Sequence, residues 1–309
     1  MNLTKKCVMM GILWCSLTSA MATPHFQVEG ISSYTAGELA YEISASSSGN
    51  TIKSRLEFPL DATYAGLSAL YNTGKPYHGI KNISLGMHVL TNITDPDSKM
   101  KDYDWLNGRK IGDTSSDAKS ASVIADIFAR GDITRINRTL MRGLIGYRYE
   151  NHRFDIYGLD GYYMSPLGDG SHQFIADDIR VLEYEMTQHL IYGGAEGIIK
   201  LSENLIAQGQ AILGLGYIED KDNHLLRGKI STSQYIAASG KLSAHLTWYF
   251  SPENAPARFY VKGGVEYVGM AGSGKQDQKF DDGSEDYKDI DSDIEMQTLT
   301  AMAMIGCKF

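Results

Sequence analysis

The sequence predicts an all-β chain, a transmembrane antiparallel β-barrel of ten strands with long loops at one end. Three observations lead there. The hydrophobic pattern has period two over long segments, no stretch of 18 apolar residues follows Thr23, and the chain ends on an alternating strand closed by Phe309.

The alternation is clearest in 205–217, whose odd positions are Leu, Ala, Gly, Ala, Leu, Leu and Tyr, while the even ones include Gln208, Gln210 and two Gly. It returns where Phe259, Val261, Val265 and Tyr267 oppose Arg258, Lys262 and Glu266, and again where Leu299, Ala301, Ala303, Ile305, Cys307 and Phe309 share a face. Strands of soluble sandwiches run about 5–6 residues. Longer alternating strands suit a wall that is apolar toward lipid and polar toward a lumen, and the 19 Tyr suit aromatic girdles.

Taken in order, Lys5-Lys6, the apolar run Cys7 to Leu17 and Ala20-Met21-Ala22 read as a signal peptide over 1–22, cut before Thr23. The rest, 23–309, reads as a single barrel domain. Strands are expected at 26–46, 53–70, 78–94, 117–132, 138–163, 181–200, 205–220, 229–250, 258–272 and 290–309. Short turns are expected at 71–76, 202–204 and 251–254, where Asn, Gly, Pro and Ser gather. Long polar loops are expected at 95–116, 164–180 and 273–290, with a tip at 220–228. Export together with the terminal Phe309 points to the outer membrane of a Gram-negative bacterium, loops outward.

Removing 1–22 takes the formal charge from -8 to -10, because Lys5 and Lys6 leave with no acid. An acidic chain offers no basic patch for nucleic acid. Two of the three Cys leave as well, so Cys307 has no partner for an internal disulfide and reads as a small apolar residue on the lipid face. The remaining His lack metal spacing, and neither a phosphate loop nor a Gly-x-Ser-x-Gly elbow is present.

Two constellations carry possible chemistry. In Asp220-Lys221-Asp222-Asn223-His224, continuing the register of 205–217 turns Asp220, Asp222 and His224 inward at the barrel mouth. A carboxylate beside an imidazole orients the ring and raises its basicity toward water. In Asp102-Tyr103-Asp104-Trp105 an extended chain projects both acids together, and two close carboxylates retain one proton near neutral pH for a developing oxyanion. Asp-x-Asp recurs at 95/97, 289/291 and 291/293, so the pair alone is weak; its placement gives it weight.

Together these segments resemble the omptins, a family of ten-stranded outer-membrane proteases. The likeness runs along nearly the whole mature chain: Ser54-Arg55-Leu56-Glu57-Phe58-Pro59-Leu60, the Asp-x-Asp-Trp of 102–105, the Asp-x-Asp-x-His of 220–224 followed by Gly228-Lys229, and the terminal Gly306-Cys307-Lys308-Phe309. The resemblance implies that Asp102 and Asp104 form a carboxylate pair. It implies that Asp222 and His224 activate a water, and that Asp220 lines an acidic pocket for a basic side chain. The implied reaction is endoproteolysis of cationic peptides or proteins near Lys or Arg, by a monomer with no metal, no acyl-enzyme and no cofactor, lipopolysaccharide being the one candidate requirement. A non-enzymatic barrel of the same kind, an adhesin or narrow pore, is the other reading. Two segments depart from the family: 41–50 is mostly Ser and Ala where omptins complete the basic pocket with Glu, and 147–153 holds the residue types of their lipopolysaccharide site at another spacing.

Overall fold

The structure, a computed structural model, describes residues 26–47, 49–73, 80–164, 170–252, 255–281, 283 and 286–309. The expected signal peptide and parts of the turns at 71–76 and 251–254 lie outside the described residues. Twelve antiparallel segments follow in chain order: β1 (Phe26–Ser47), β2 (Asn50–Pro59), β3 (Ala62–Asn72), β4 (Lys81–Asn92), β5 (Met100–Leu106), β6 (Arg109–Ile136), β7 (Thr139–Met164), β8 (Gly170–Lys200), β9 (Leu205–His224), β10 (Lys229–Tyr249), β11 (Arg258–Phe280) and β12 (Tyr287–Lys308).

These twelve segments make ten staves. β2 and β3 both pair with β1, and β4 and β5 both pair with β6, so each couple is one interrupted stave. The first interruption follows Pro59, which has no N–H to give the ladder. β12 pairs with β1 from Gln27↔Lys308 to Ser44↔Asp291, closing the ring and leaving no edge. The expected ten-stranded barrel is therefore the observed one.

Three expected loops are largely strand. The 95–116 stretch contains β5 and the start of β6, 164–180 contains the start of β8, and β11 and β12 extend through most of 273–290. The physical reason is that these strands stand clear of lipid. Their outward faces carry many polar residues as well, so alternation fades while the backbone ladder continues. The β5–β6 hairpin turns on Asn107 (φ 51°) and Gly108 (φ 77°), the left-handed pair that a two-residue type I′ turn requires.

The outward side chains define a belt. On β9 they run Ala207, Gly209, Ala211, Leu213, Leu215 and Tyr217, of which Leu213 is 76% exposed. That span matches the roughly 9–11 residues of a tilted membrane strand. Ile236, Val265, Leu299 and Ile305 continue the belt on β10 to β12, and Trp248, Phe250 and Phe259 stand outward at the end that carries the termini. Beyond Tyr217 the outward positions become Glu219 and Lys221, and beyond Leu299 they become Gln297, Glu295 and Asp293. Everything past that line lies outside the membrane-spanning part.

The lumen is filled in two layers. Within the belt, charges are paired: Lys262–Glu29 at 2.9 Å, Lys241–Glu266 at 3.1 Å, Arg142–Asp132 at 2.6 Å and Arg130–Glu196 at 3.2 Å. A cavity of about 20 Å³ beside Asp126 and Arg148 has room for a water. Toward the far end an apolar plug takes over, with Phe58 stacked on Tyr184 at 4.2 Å and Tyr184 on Tyr41 at 5.6 Å, surrounded by Leu39, Met186, Ile218 and Ile294. Cys307 keeps the outward register expected for it but is covered, at 6% exposure, between its strand partners Val28 and Phe259.

Candidate active site

The site stands on top of the apolar plug, and β9 sets its register. That strand pairs without a break from Leu205 to the end, so the inward parity of its even residues persists through Asp220 and Asp222. Asp222 lies between Tyr184 and Ser231 and is completely buried; His224 lies between Leu182 and Lys229. His224 Nε2 is 2.8 Å from Asp222 Oδ2, a contact that orients the ring. Tyr41 reaches across the lumen from β1 and donates its hydroxyl to the same carboxylate oxygen. Burial pushes Asp222 toward the neutral form, but His224, Lys229 and Tyr41 together hold its carboxyl below the usual range.

Asp220 sits one step deeper. Tyr184 and Tyr235 donate to its Oδ2 at 3.2 and 2.9 Å, and the Tyr235 hydroxyl also meets Ser292 at 2.9 Å. The residue is 5% exposed, and burial pushes its carboxyl up to about 6 despite these donors. The pocket expected around Asp220 is thus lined by tyrosines and closed.

The second acid pair comes from β5. Asp102 pairs with Leu56 and Thr114, and Asp104 with Ser54 and Gly112, which places both on the inward face. A Cβ on Gly112 would stand 3.1 Å from the Asp104 carboxylate and 3.2 Å from the Tyr163 ring, so glycine there lets acid and ring meet. Tyr163 is turned inward by a bulge in which Tyr157 and Leu159 of β7 oppose Arg180 and Ile175 of β8, with Gly158 at φ 65°. Burial first, and the neighbouring Asp104 second, push Asp102 up to about 7; the Asp222 charge adds to the rise, which places the two acid motifs in electrostatic reach of each other.

Two cations complete the mouth. The β9–β10 turn carries Arg227, exposed at the rim, and Gly228 at φ 55°; Lys229 follows as the inward cross-strand partner of His224. Burial pulls the Lys229 ammonium down, while Asp222, Asp102 and Asp104 oppose the shift.

Asp102 Oδ1, Asp220 Oδ1 and Asp222 Oδ1 are all buried without a hydrogen-bond partner. Such orphans are costly and rare, and three in one cleft mark a place built to meet something else. Of the residues expected from sequence, the structure joins Asp222 to His224 directly, brings Asp102 and Asp104 to the same mouth and sets Asp220 beneath. It adds Tyr41, Tyr163, Tyr184, Tyr235, Arg227 and Lys229. Only Lys229 had a local signal, the glycine-marked turn before an inward position. Tyr41 comes from a stave 181 residues away, and Tyr184 and Tyr235 come from the staves flanking β9, which no spacing rule along one strand reaches.

Elsewhere, Ser122, His152 and Glu150 line up as hydroxyl, imidazole and carboxylate, with contacts of 3.0 and 3.1 Å. They are 3, 2 and 2% exposed within the belt, so they read as lumen packing. Arg148 and Glu150 of the 147–153 segment point into the lumen, whereas Tyr147 packs on His189 along the outer wall.

No family model matches the sequence, and a search of curated proteins gives no match. Among solved structures the chain is similar to the crystal structure of outer membrane protease OmpT from Escherichia coli. The TM-score is 0.76 at 15% identity over 95% of this chain and 100% of that one. Looser matches include the translocator domain of the autotransporter NalP from Neisseria meningitidis, with a TM-score of 0.37 at 13% identity over 98% and 96% of the two chains. Ten staves, a lipid-facing belt and this likeness across the full length make the protein, in fold, an omptin-like outer-membrane β-barrel.

Proposed function

We propose that this barrel is an outer-membrane endopeptidase whose site end faces outward and which hydrolyses cationic peptides or proteins near basic residues. The observation that carries the reading is the convergence of three buried, unpartnered carboxylate oxygens, of Asp102, Asp220 and Asp222, in one cleft with the His224–Asp222 contact. The OmpT likeness supports the fold that presents them.

In the proposed reaction, the neutral His224 imidazole, oriented by Asp222, takes a proton from a water as its oxygen bonds to the peptide carbonyl carbon, and Asp222 stabilises the imidazolium that forms. The carbonyl oxygen becomes an oxyanion, which accepts a hydrogen bond from the proton shared by Asp102 and Asp104. Collapse breaks the C–N bond, and the amine leaves with the proton from His224. Asp220 offers its unpartnered Oδ1 to a basic substrate side chain. The acidic chain draws cationic peptides toward the mouth.

The test is cleavage of a dibasic fluorogenic peptide by refolded protein in lipopolysaccharide. Wild type is expected to cleave it, and His224→Ala or Asp222→Ala to abolish cleavage while the barrel stays folded. Equal rates in wild type and His224→Ala would sink the reading. Because Asp102 titrates at about 7, kcat is expected to fall as pH rises through that value and the oxyanion donor is lost.

A further inference from the structure

The Arg227–Lys229 turn places two cations where a purely acidic cleft is expected. Lys229 faces inward directly across from His224, with Ser231 next inward beside Asp222. On its other side its strand partner is Phe280, which offers no countercharge. Among the described residues its ammonium makes no ion pair within 4 Å, unlike Lys241 and Lys262 deeper in the lumen, which are paired at 3.1 and 2.9 Å. Arg227 stands at the same lip, its backbone N–H held by the His224 carbonyl at 3.1 Å. Asp220, the acid available to a basic side chain, lies two steps deeper along β9 and behind Tyr184 and Tyr235. The charges along this wall are therefore sorted, with acid below and cations above His224.

We infer that Arg227 and Lys229 form a second specificity subsite, which takes a substrate carboxylate on the side of the scissile bond opposite the residue read by Asp220. This rests on the endopeptidase reading and deepens it: the preferred peptide pairs a basic residue with an acidic one across the cleaved bond. A basic side chain in the upper position meets two like charges near a partly buried wall, where repulsion is weakly screened. An Asp or Glu there gives the Lys229 ammonium a direct ion pair, where Asp222, Asp102 and Asp104 act on it only from beyond 4 Å.

The experiment uses the refolded full-length barrel in lipopolysaccharide and quenched peptides identical except at the two residues flanking the cleavage point. The pairs are Arg-Arg, Arg-Ala, Arg-Glu and their reversed orders, with cleavage mapped by mass spectrometry. Arg-Glu or Glu-Arg is expected to be cleaved at least about tenfold faster in kcat/KM than Arg-Arg, the size of one charge-assisted contact. Lys229→Met and Arg227→Ala should each shrink that ratio, and Lys229→Glu should invert it toward Arg-Arg. Cleavage by wild type with Arg-Arg equal or preferred overturns the subsite and leaves the endopeptidase reading standing. No cleavage of any peptide by wild type overturns both. Because the wild-type ratio alone decides the first point, a variant that fails to fold does not shield the inference.

Discussion

At the residue scale, one proton on Asp102 links function to stability. Its carboxyl, ordinarily near 3.8, is pushed up to about 7 by burial and by Asp104, so the folded chain holds this proton more tightly than the unfolded chain. The associated stability is fully present below the unfolded value and is lost as pH rises through about 7. Asp102→Asn, which mimics the protonated form, is therefore expected to raise the unfolding temperature over wild type at pH 8, by about 2–4 °C per kcal/mol recovered, with the difference vanishing near pH 4. Asp102→Ala, which removes the oxyanion donor, should lower kcat at least about 100-fold. Thermal melts at two pH values and peptide kinetics check both halves. Tyr41 supplies a companion case: Tyr41→Phe keeps the ring stack on Tyr184 but strips a donor from the buried Asp222 carboxylate. A loss of about 1–3 kcal/mol is expected, seen as earlier unfolding.

At the scale of elements, the site depends on places where strands depart from regularity. Gly112 on β6 is the point of closest approach to Asp104, so Gly112→Ala should push the carboxylate off its position. The expected outcome is a fall in kcat with heat-modifiable gel migration unchanged, since the ladder of β6 survives. The bulge at Gly158 is harsher, because a Cβ there stands 2.7 Å from Asp177 and the backbone is left-handed. How much of this was legible varies with the element. The inward set Asp220, Asp222 and His224 followed from parity alone, because β9 runs without a bulge. The far ends of β8, β11 and β12 did not, since with water on the outside nothing in their composition separates strand from loop. Asn107-Gly108 was a readable hairpin signal inside the stretch expected to be loop.

At the scale of the whole molecule, the barrel is a wall around a solid lumen. The aromatic stack across the far half and the paired charges within the belt leave no open channel among the described residues. In planar bilayers the protein is expected to show no steady conductance, and discrete ion-conducting steps in wild type would overturn this account of the plug. The outer wall obeys the converse rule. Leu213→Arg in mid-belt should cost about 2–4 kcal/mol of folding free energy into lipid, measurable as a lower denaturant midpoint, whereas Lys221→Leu beyond the belt should change it little.

By itself the sequence determined the class, the number of staves and the face on which Asp220, Asp222 and His224 lie, because period-two alternation and turn chemistry are local properties of the chain. Only the tertiary structure decided what those acids meet. Tyr41 reaches Asp222 across the lumen from a stave 181 residues away, and Asp102 and Asp222 come within electrostatic reach only when the ring closes. Pairing of β9 with β8 and β10 brings Tyr184 and Tyr235 over Asp220. These are contacts across a curved sheet, which depend on barrel closure and strand stagger and so lie beyond any spacing along one strand.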